Sequence, residues 1–307
     1  MRCGDKVAKS NNKIINKNIM KVADKWKDYT VIATGDGYKL ERWKDVILLR
    51  PDPQVIWGSR TDMENYPNLN AKYTRSESGG GAWKFLKKFP EEWVISYDDL
   101  KFKIKPMGFK HTGLFPEQAV NWDIMRGLIK NAGRPISVLN LFAYTGGATV
   151  ACLSAGASVC HVDASKGMVE RAGENVRLSN LGDKPVRFII DDCTKFVKRE
   201  IKRGHKYDAI IMDPPSYGRG PNGEMWKIES EIFPFVQLCT EVLSDNPLFV
   251  LINSYTTGLQ PTVLENILTL TVKEKFGKGK VEAYEVGVKT EEGINLPCGA
   301  GGMFINE

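Results

Sequence analysis

A chain of 307 residues, 42% hydrophobic and 26% charged, has the composition of an ordinary globular protein and length enough for one large domain or two smaller ones. No apolar run is long enough to cross a bilayer, and the lysines at 6, 9, 13, 17 and 21 precede no apolar segment of signal type, so a cytoplasmic location is expected. Cys3, Cys152, Cys160, Cys193, Cys239 and Cys298 form no C-x-x-C pair and His111, His161 and His205 are not spaced as ligands, which argues against a disulfide framework or a metal; the net charge of +6 permits an RNA partner without requiring one.

Residues 1–27 are polar and Lys-rich, with Ile14, Ile15, Ile19 and Val22 at helical spacing, which predicts a helical or flexible arm. Residues 28–108 switch to short apolar runs (Tyr29–Ala33, Val46–Leu49, Trp93–Ser96, Phe102–Ile104) separated by Gly35-Asp36-Gly37, Pro51-Asp52-Pro53 and Gly79-Gly80-Gly81. This reads as a small, mainly β domain. Its tryptophans (Trp26, Trp43, Trp57, Trp83, Trp93) are read as core in preference to a stacking surface for bases.

From residue 109 to the end the pattern alternates. Strands are predicted at Ser137–Leu141, Val159–Val162, Phe188–Ile190, Tyr207–Met212 and Leu248–Asn253, with helices at Ala148–Ala155, Lys166–Asn180, around Thr194–Arg203 and around Ile232–Leu243. Such βαβ units imply an α/β fold with a doubly wound, mostly parallel sheet. Thr269–Phe276 and Val281–Val288 flank Gly277-Lys278-Gly279, a hairpin signal that would add an antiparallel C-terminal pair and bring the sheet to seven strands.

Ligands bind such sheets at the carboxyl ends of the strands, and the unusual residues fall there. The first strand runs into Phe142-Ala143-Tyr144-Thr145-Gly146-Gly147, where glycines let the backbone come close to a ligand; Tyr144 and Thr149 occupy the outer glycine positions of a dinucleotide fingerprint, which argues against NAD. Asp163, followed by Ala164 and Ser165, ends the second strand and is placed to accept from both hydroxyls of a ribose, with Ser165 free to cap the next helix. Asp191, Asp192 and Cys193 end the third, where one carboxylate can accept from an exocyclic amine and the other can cap. Asp213-Pro214-Pro215-Ser216-Tyr217 ends the fourth; prolines lack N–H donors and fix the loop, so that its carbonyls and the Asp213 carboxylate can orient an exocyclic amine or a planar substrate. The glycine-rich loop 218–224 contains no G-K-[ST] and reads equally as a plain loop or as a substrate cover with Arg219 and Lys227 on phosphate.

Taken together, these segments resemble motifs I to IV of the class I S-adenosylmethionine-dependent methyltransferases. More narrowly, they resemble the group containing the bacterial 23S ribosomal RNA methyltransferases that act on cytosine C5 or guanine N7. His111-Thr112-Gly113-Leu114-Phe115-Pro116-Glu117-Gln118 is similar to that group's stretch before motif I, and the likeness covers roughly residues 100–300. The resemblance implies a Rossmann-like methyltransferase sheet that binds S-adenosyl-L-methionine. Residues Phe142 to Gly147 would line its methionine part, Asp163 would hold the ribose and Asp192, or Asp191 beside it, the adenine. Phe115 and Gln118 would close over the cofactor, and Asp213 to Ser216 would face the methyl group and the base.

The sequence departs from the cytosine-C5 members at the turn after the fifth strand. There Asn253-Ser254-Tyr255-Thr256-Thr257-Gly258 carries no cysteine nucleophile, and Cys298, near the C-terminal edge, is the candidate substitute. Transfer to nitrogen needs no covalent intermediate, so methylation of a base of ribosomal RNA without a cysteine-linked intermediate is the preferred reading. A small molecule or a protein as substrate is the alternative, and a non-catalytic nucleotide-binding module is a third. Lysines 84, 87, 88, 101, 103, 105 and 110 are candidates to track an RNA backbone.

Overall fold

The computed structural model describes residues 20–76, 80–219 and 225–306, without the side chains of Phe109 and Arg219. Its larger sheet has eight strands in the order Lys21–Ala23, Lys280–Lys289, Asn295–Ile305, Phe249–Ser254, Ala209–Met212, Ser137–Leu141, Ser158–Asp163 and Val186–Ile190. The last five of these run parallel. Ala209–Met212 and Phe249–Ser254 are buried at every residue, as strands covered on both faces must be. Successive residues alternate between two cores: Val138 and Ile211 enter one, and Leu139, Ile210 and Met212 the other. Ser137–Leu141 has the second strand on one side and the fourth on the other, so the winding reverses there and opens a crevice at the carboxyl ends. The doubly wound, mostly parallel architecture is therefore as expected.

Two local expectations change. Thr269–Phe276 is not a strand, because Leu264, Ile267, Leu268, Thr271 and Val272 are buried at helical spacing and the segment continues the helix Pro261–Leu268. Gly277, at φ 70°, terminates that helix instead of turning a hairpin. The antiparallel pair is Lys280–Lys289 with Asn295–Ile305, and Gly293 at φ 83° lies in the turn between them. The eighth strand comes from the arm: Lys21–Ala23 pairs in parallel with the edge strand Lys280–Lys289, so Val22 is not helical. Residues 1–19 of the arm, with Ile14, Ile15 and Ile19, lie outside the described residues, as do Gly79 and residues 220–224.

The smaller sheet joins Tyr29–Gly35, Tyr38–Trp43, Val46–Pro51, Leu69–Arg75 and Gly81–Phe85 in that order. A separate hairpin, Trp93–Tyr97 with Leu100–Ile104, is tied to the helix Lys166–Leu178 and its end: the N–H groups of Lys101 and Lys103 donate to Ser179 Oγ and Asn175 Oδ1, each at 2.9 Å. The tryptophans are core. Trp43 is fully buried and Trp26, Trp57, Trp83 and Trp93 pack around the same cluster, with the indoles of Trp26, Trp83 and Trp93 donating to backbone carbonyls. No helix among the described residues is long and apolar enough to cross a membrane.

Candidate active site

A cavity of about 1150 Å³ opens at the carboxyl ends of the parallel strands, walled on its far side by the smaller sheet. Phe115, Phe142, Tyr144, Asp163, Ala164, Asp191, Asp192, Cys193, Asp213, Pro214, Pro215 and Ser216 line it.

The bend after the first strand is strained, with Phe142 at φ 54° and Tyr144 at φ 50° in the left-handed region, at a cost of roughly 1–3 kcal/mol each. Packing holds it. Phe142 lies against Trp226 and Phe235, and Tyr144 against Phe115. Gly146 and Gly147 serve packing: a Cβ on Gly146 would meet Ala172 Cβ at 2.8 Å, and one on Gly147 would meet the Trp122 ring at 2.8 Å. Between them and the strand, Ala143 is buried and Thr145 donates to the Gly113 carbonyl at 2.6 Å.

The acidic residues divide their tasks differently from the simplest reading. Ser165 stands at the helix N-cap but makes no capping bond with its side chain; Asp163 instead accepts from the Ser165 N–H at 2.8 Å and the Tyr144 N–H at 2.9 Å. The oxygens differ, Oδ1 and Oδ2, so each keeps a lone pair for the cavity. Asp192 is the cap of the next helix, accepting from the Lys195 N–H at 2.8 Å, while Asp191 pairs with Arg199 and accepts from the Asp192 N–H. Cys193 is buried, accepts from the Phe142 N–H at 3.3 Å, and has its thiol pushed up by burial.

In the Pro-Pro loop, the Pro215 carbonyl accepts from the Trp226 indole at 2.7 Å and Ser216 bonds Thr256 Oγ1 at 2.6 Å. Tyr217 is exposed on the short strand Tyr217–Arg219, which pairs with Met225–Lys227. The Asp213 carboxyl is half-buried with no hydrogen bond among the described residues. Burial, and then the neighbouring Glu117 carboxylate, push it up to about 7. Glu117 is itself buried and raised by that burial. Gln118 does not line the cavity; it donates to the Tyr255 hydroxyl at 2.7 Å and accepts from Asn121 at 2.8 Å, and Asn121 accepts from Tyr284 at 2.6 Å.

Sequence reading missed Lys39, Arg50, Glu117, His111, Tyr255 and Thr257 as cavity residues, and Lys110 was read only as one of several backbone-tracking lysines. A signal exists for the first two. Lys39 lies opposite Arg50 on paired strands, and Lys39-x-Glu41 facing Arg50-x-Asp52 is a cross-strand charge pattern.

The model of the S-adenosylmethionine-dependent methyltransferase family matches residues 69–228, more than half of the chain. The chain belongs to that family. This methyltransferase resembles the solved S-adenosylmethionine-dependent methyltransferase of Agrobacterium tumefaciens at 32% identity, with TM-score 0.84 over 91% of both chains. A methyltransferase-type chain from Streptococcus mutans shares the fold, with TM-score 0.69 over 92% of this chain and 76% of that one at 18% identity. Among curated relatives, the ribosomal RNA large subunit methyltransferase K/L of Shewanella frigidimarina is 28% identical over 73% of this chain and 31% of its own length. The methyltransferase spans under half the length of the curated relatives it matches.

Proposed function

We propose that this methyltransferase modifies a nitrogen of an RNA base, in ribosomal RNA, without a cysteine-linked intermediate. The observation that carries the chemistry is Asp213, a carboxyl at the cavity wall with no hydrogen-bond partner among the described residues, pushed up to about 7 by burial and by Glu117. It can accept an N–H of the base, aim the nitrogen lone pair and take up the proton that the nitrogen must lose. Bound S-adenosyl-L-methionine supplies an electrophilic methyl group on a sulfonium.

The residues present fit that cofactor. The spare lone pairs of Asp163 suit the two ribose hydroxyls. Exposed Ile190 and Ala164 offer apolar surface for a flat ring, with Asp191 and Asp192 beside it for its amino group. Phe115, Phe142 and Tyr144 would border the methionine part.

For RNA speak the naming of the curated relatives and the distribution of charge. Lys103 and Lys105 are ion-paired, both with Glu92 at 3.0 Å and Lys103 also with Glu174 at 3.2 Å, but Lys84, Lys87 and Lys88 are exposed and make no ion pair among the described residues. The small β domain of residues 28–108 would thus contact RNA, in the cytoplasm where ribosomal RNA is found. Incubation with tritiated S-adenosylmethionine and total RNA, protein or metabolite extracts tests this: label is expected in RNA, and label in protein or metabolites alone would overturn the reading.

Cys298 lines the cavity, yet its thiol donates to the Leu296 carbonyl at 3.5 Å and is pushed well up by burial and by Glu117, so it is no ready thiolate. Cys298→Ala is expected to keep turnover within roughly threefold of wild type. A hundredfold or greater loss, with S-adenosylmethionine binding intact, would restore a covalent route.

A further inference from the structure

Cations crowd around one wall of the cavity, and two of them make no ion pair among the described residues. Arg50 is matched by Glu41, Nε to Oε2 at 2.5 Å, and Lys39 by Asp52 at 3.1 Å. Lys110 lines the same wall, and Arg75 lies close enough for its charge to act on it; neither makes an ion pair among the described residues. The surplus registers in the neighbours. Lys110 is lowered to about 8 and His111 to about 4, by burial first, with Lys39 and Arg50 adding to it in both cases. His111 is therefore neutral, and the unanswered charge is on Lys110 and Arg75.

Lys110 is also held in place. Its backbone is left-handed, φ 66°, its carbonyl accepts from Arg50 at 2.8 Å, and its ammonium donates to the Pro51 carbonyl at 2.9 Å. An ammonium has three donors, so two remain. A strained backbone pinned at both ends, presenting free donors into a cavity, is a preorganised anion site.

We propose that Lys110 is the centre of a phosphate subsite that takes the phosphodiester adjacent to the target base. This rests on the RNA reading above. Both hydrogen-bond partners of Lys110, Arg50 and Pro51, belong to the small β region, whereas Asp163, Asp191 and Asp192 stand at the carboxyl ends of the parallel strands. The subsite is therefore assigned to substrate and not to the adenosyl end. Arg75 pairs with Gly81, and from there the edge strand Gly81–Phe85, which carries Lys84, leads roughly 13 Å along the sheet toward the exposed Lys87 and Lys88. That path suits a polyanion better than a single phosphorylated metabolite.

The test reads Lys110 directly. Wild-type protein is treated with acetic anhydride near pH 8, and acetylation of Lys110 is followed by mass spectrometry. A mixed-sequence RNA 12-mer and nucleoside 5′-monophosphates, each near ten times its Kd, are expected to slow the reaction roughly tenfold, while nucleosides and S-adenosylmethionine do not. Lys110→Met is expected to raise KM for total RNA roughly tenfold and to lower the salt slope of RNA binding by about one, with Lys110→Arg restoring both. Protection by S-adenosylmethionine alone would assign the anion to the cofactor's carboxylate, and no protection by any phosphate-bearing probe would remove the site; either overturns the proposal. If nucleotides protect Lys110 but wild type labels no RNA, the subsite stands for a phosphorylated metabolite and the RNA reading falls.

Discussion

Asp213→Asn is expected to lower turnover about 10²–10⁴-fold while S-adenosylmethionine still binds, which titration calorimetry beside single-turnover rates will show. Asparagine keeps the shape and one acceptor oxygen but cannot take up a proton. The carboxyl has no hydrogen bond to lose among the described residues, so the fold is expected to stand and the loss to be one of chemistry. The pH profile gives the second readout. Burial and Glu117 raise Asp213 to about 7, and the active form is the ionised one, so kcat/KM should climb as pH rises through 7 and then level off. Glu117 and Asp213 interact, so the midpoint belongs to the pair. Glu117→Gln removes the like charge and should move that midpoint to lower pH. An Asp213→Asn enzyme with wild-type turnover and an unchanged profile would exclude Asp213 as proton acceptor.

Glu41→Ala is expected to destabilise the protein by about 3–5 kcal/mol in denaturant unfolding. Glu41 is fully buried, accepts from Tyr29 at 2.7 Å and from Arg50 at 2.5 and 2.8 Å, and has Lys39 at 3.7 Å. Removing it strands the buried Arg50 and a phenol, and leaves Lys39 with Asp52 alone. Although burial alone would raise its carboxyl, Arg50 and Lys39 outweigh that and hold it at about 2. Because that value is depressed, the stabilisation is complete above the ordinary carboxylate range and drains away as pH falls toward 2. The gap between wild type and Glu41→Gln should accordingly be full at pH 6 and shrink steadily below about 4.5. A gap independent of pH would mean that shape and not charge is what Glu41 supplies. The same substitution frees Arg50, so the cavity wall beside Lys110 should loosen with it.

The parallel strands were legible because each is announced locally, by a short apolar run followed by a turn and an amphipathic stretch. The acidic strand ends, Asp163, Asp191, Asp192 and Asp213, were legible for the same reason: the end of a strand is a position in sequence as well as in space. Thr269–Phe276 misled because its β-branched residues suit a strand, while burial of Leu264, Leu268 and Val272 on one face makes it helix. Gly146 and Gly147 were legible as necessary, and the close packing of Ala172 and Trp122 against them is a reason that only the fold supplies.

By itself, then, the chain's order of residues determined the α/β winding and the rim where the acidic strand ends gather, because these follow from short-range patterns of apolarity and turn chemistry, while the cofactor class followed from the resemblance of those segments to the family's motifs. Only the folded chain decided that Asp163 and not Ser165 ties down the helix entry, that Lys39, Arg50 and Lys110 face residues far along the chain such as Tyr255 and Cys298, and that Asp213 holds its proton near neutrality. Those depend on desolvation and on charges acting through space, and neither quantity exists until distant segments are packed together.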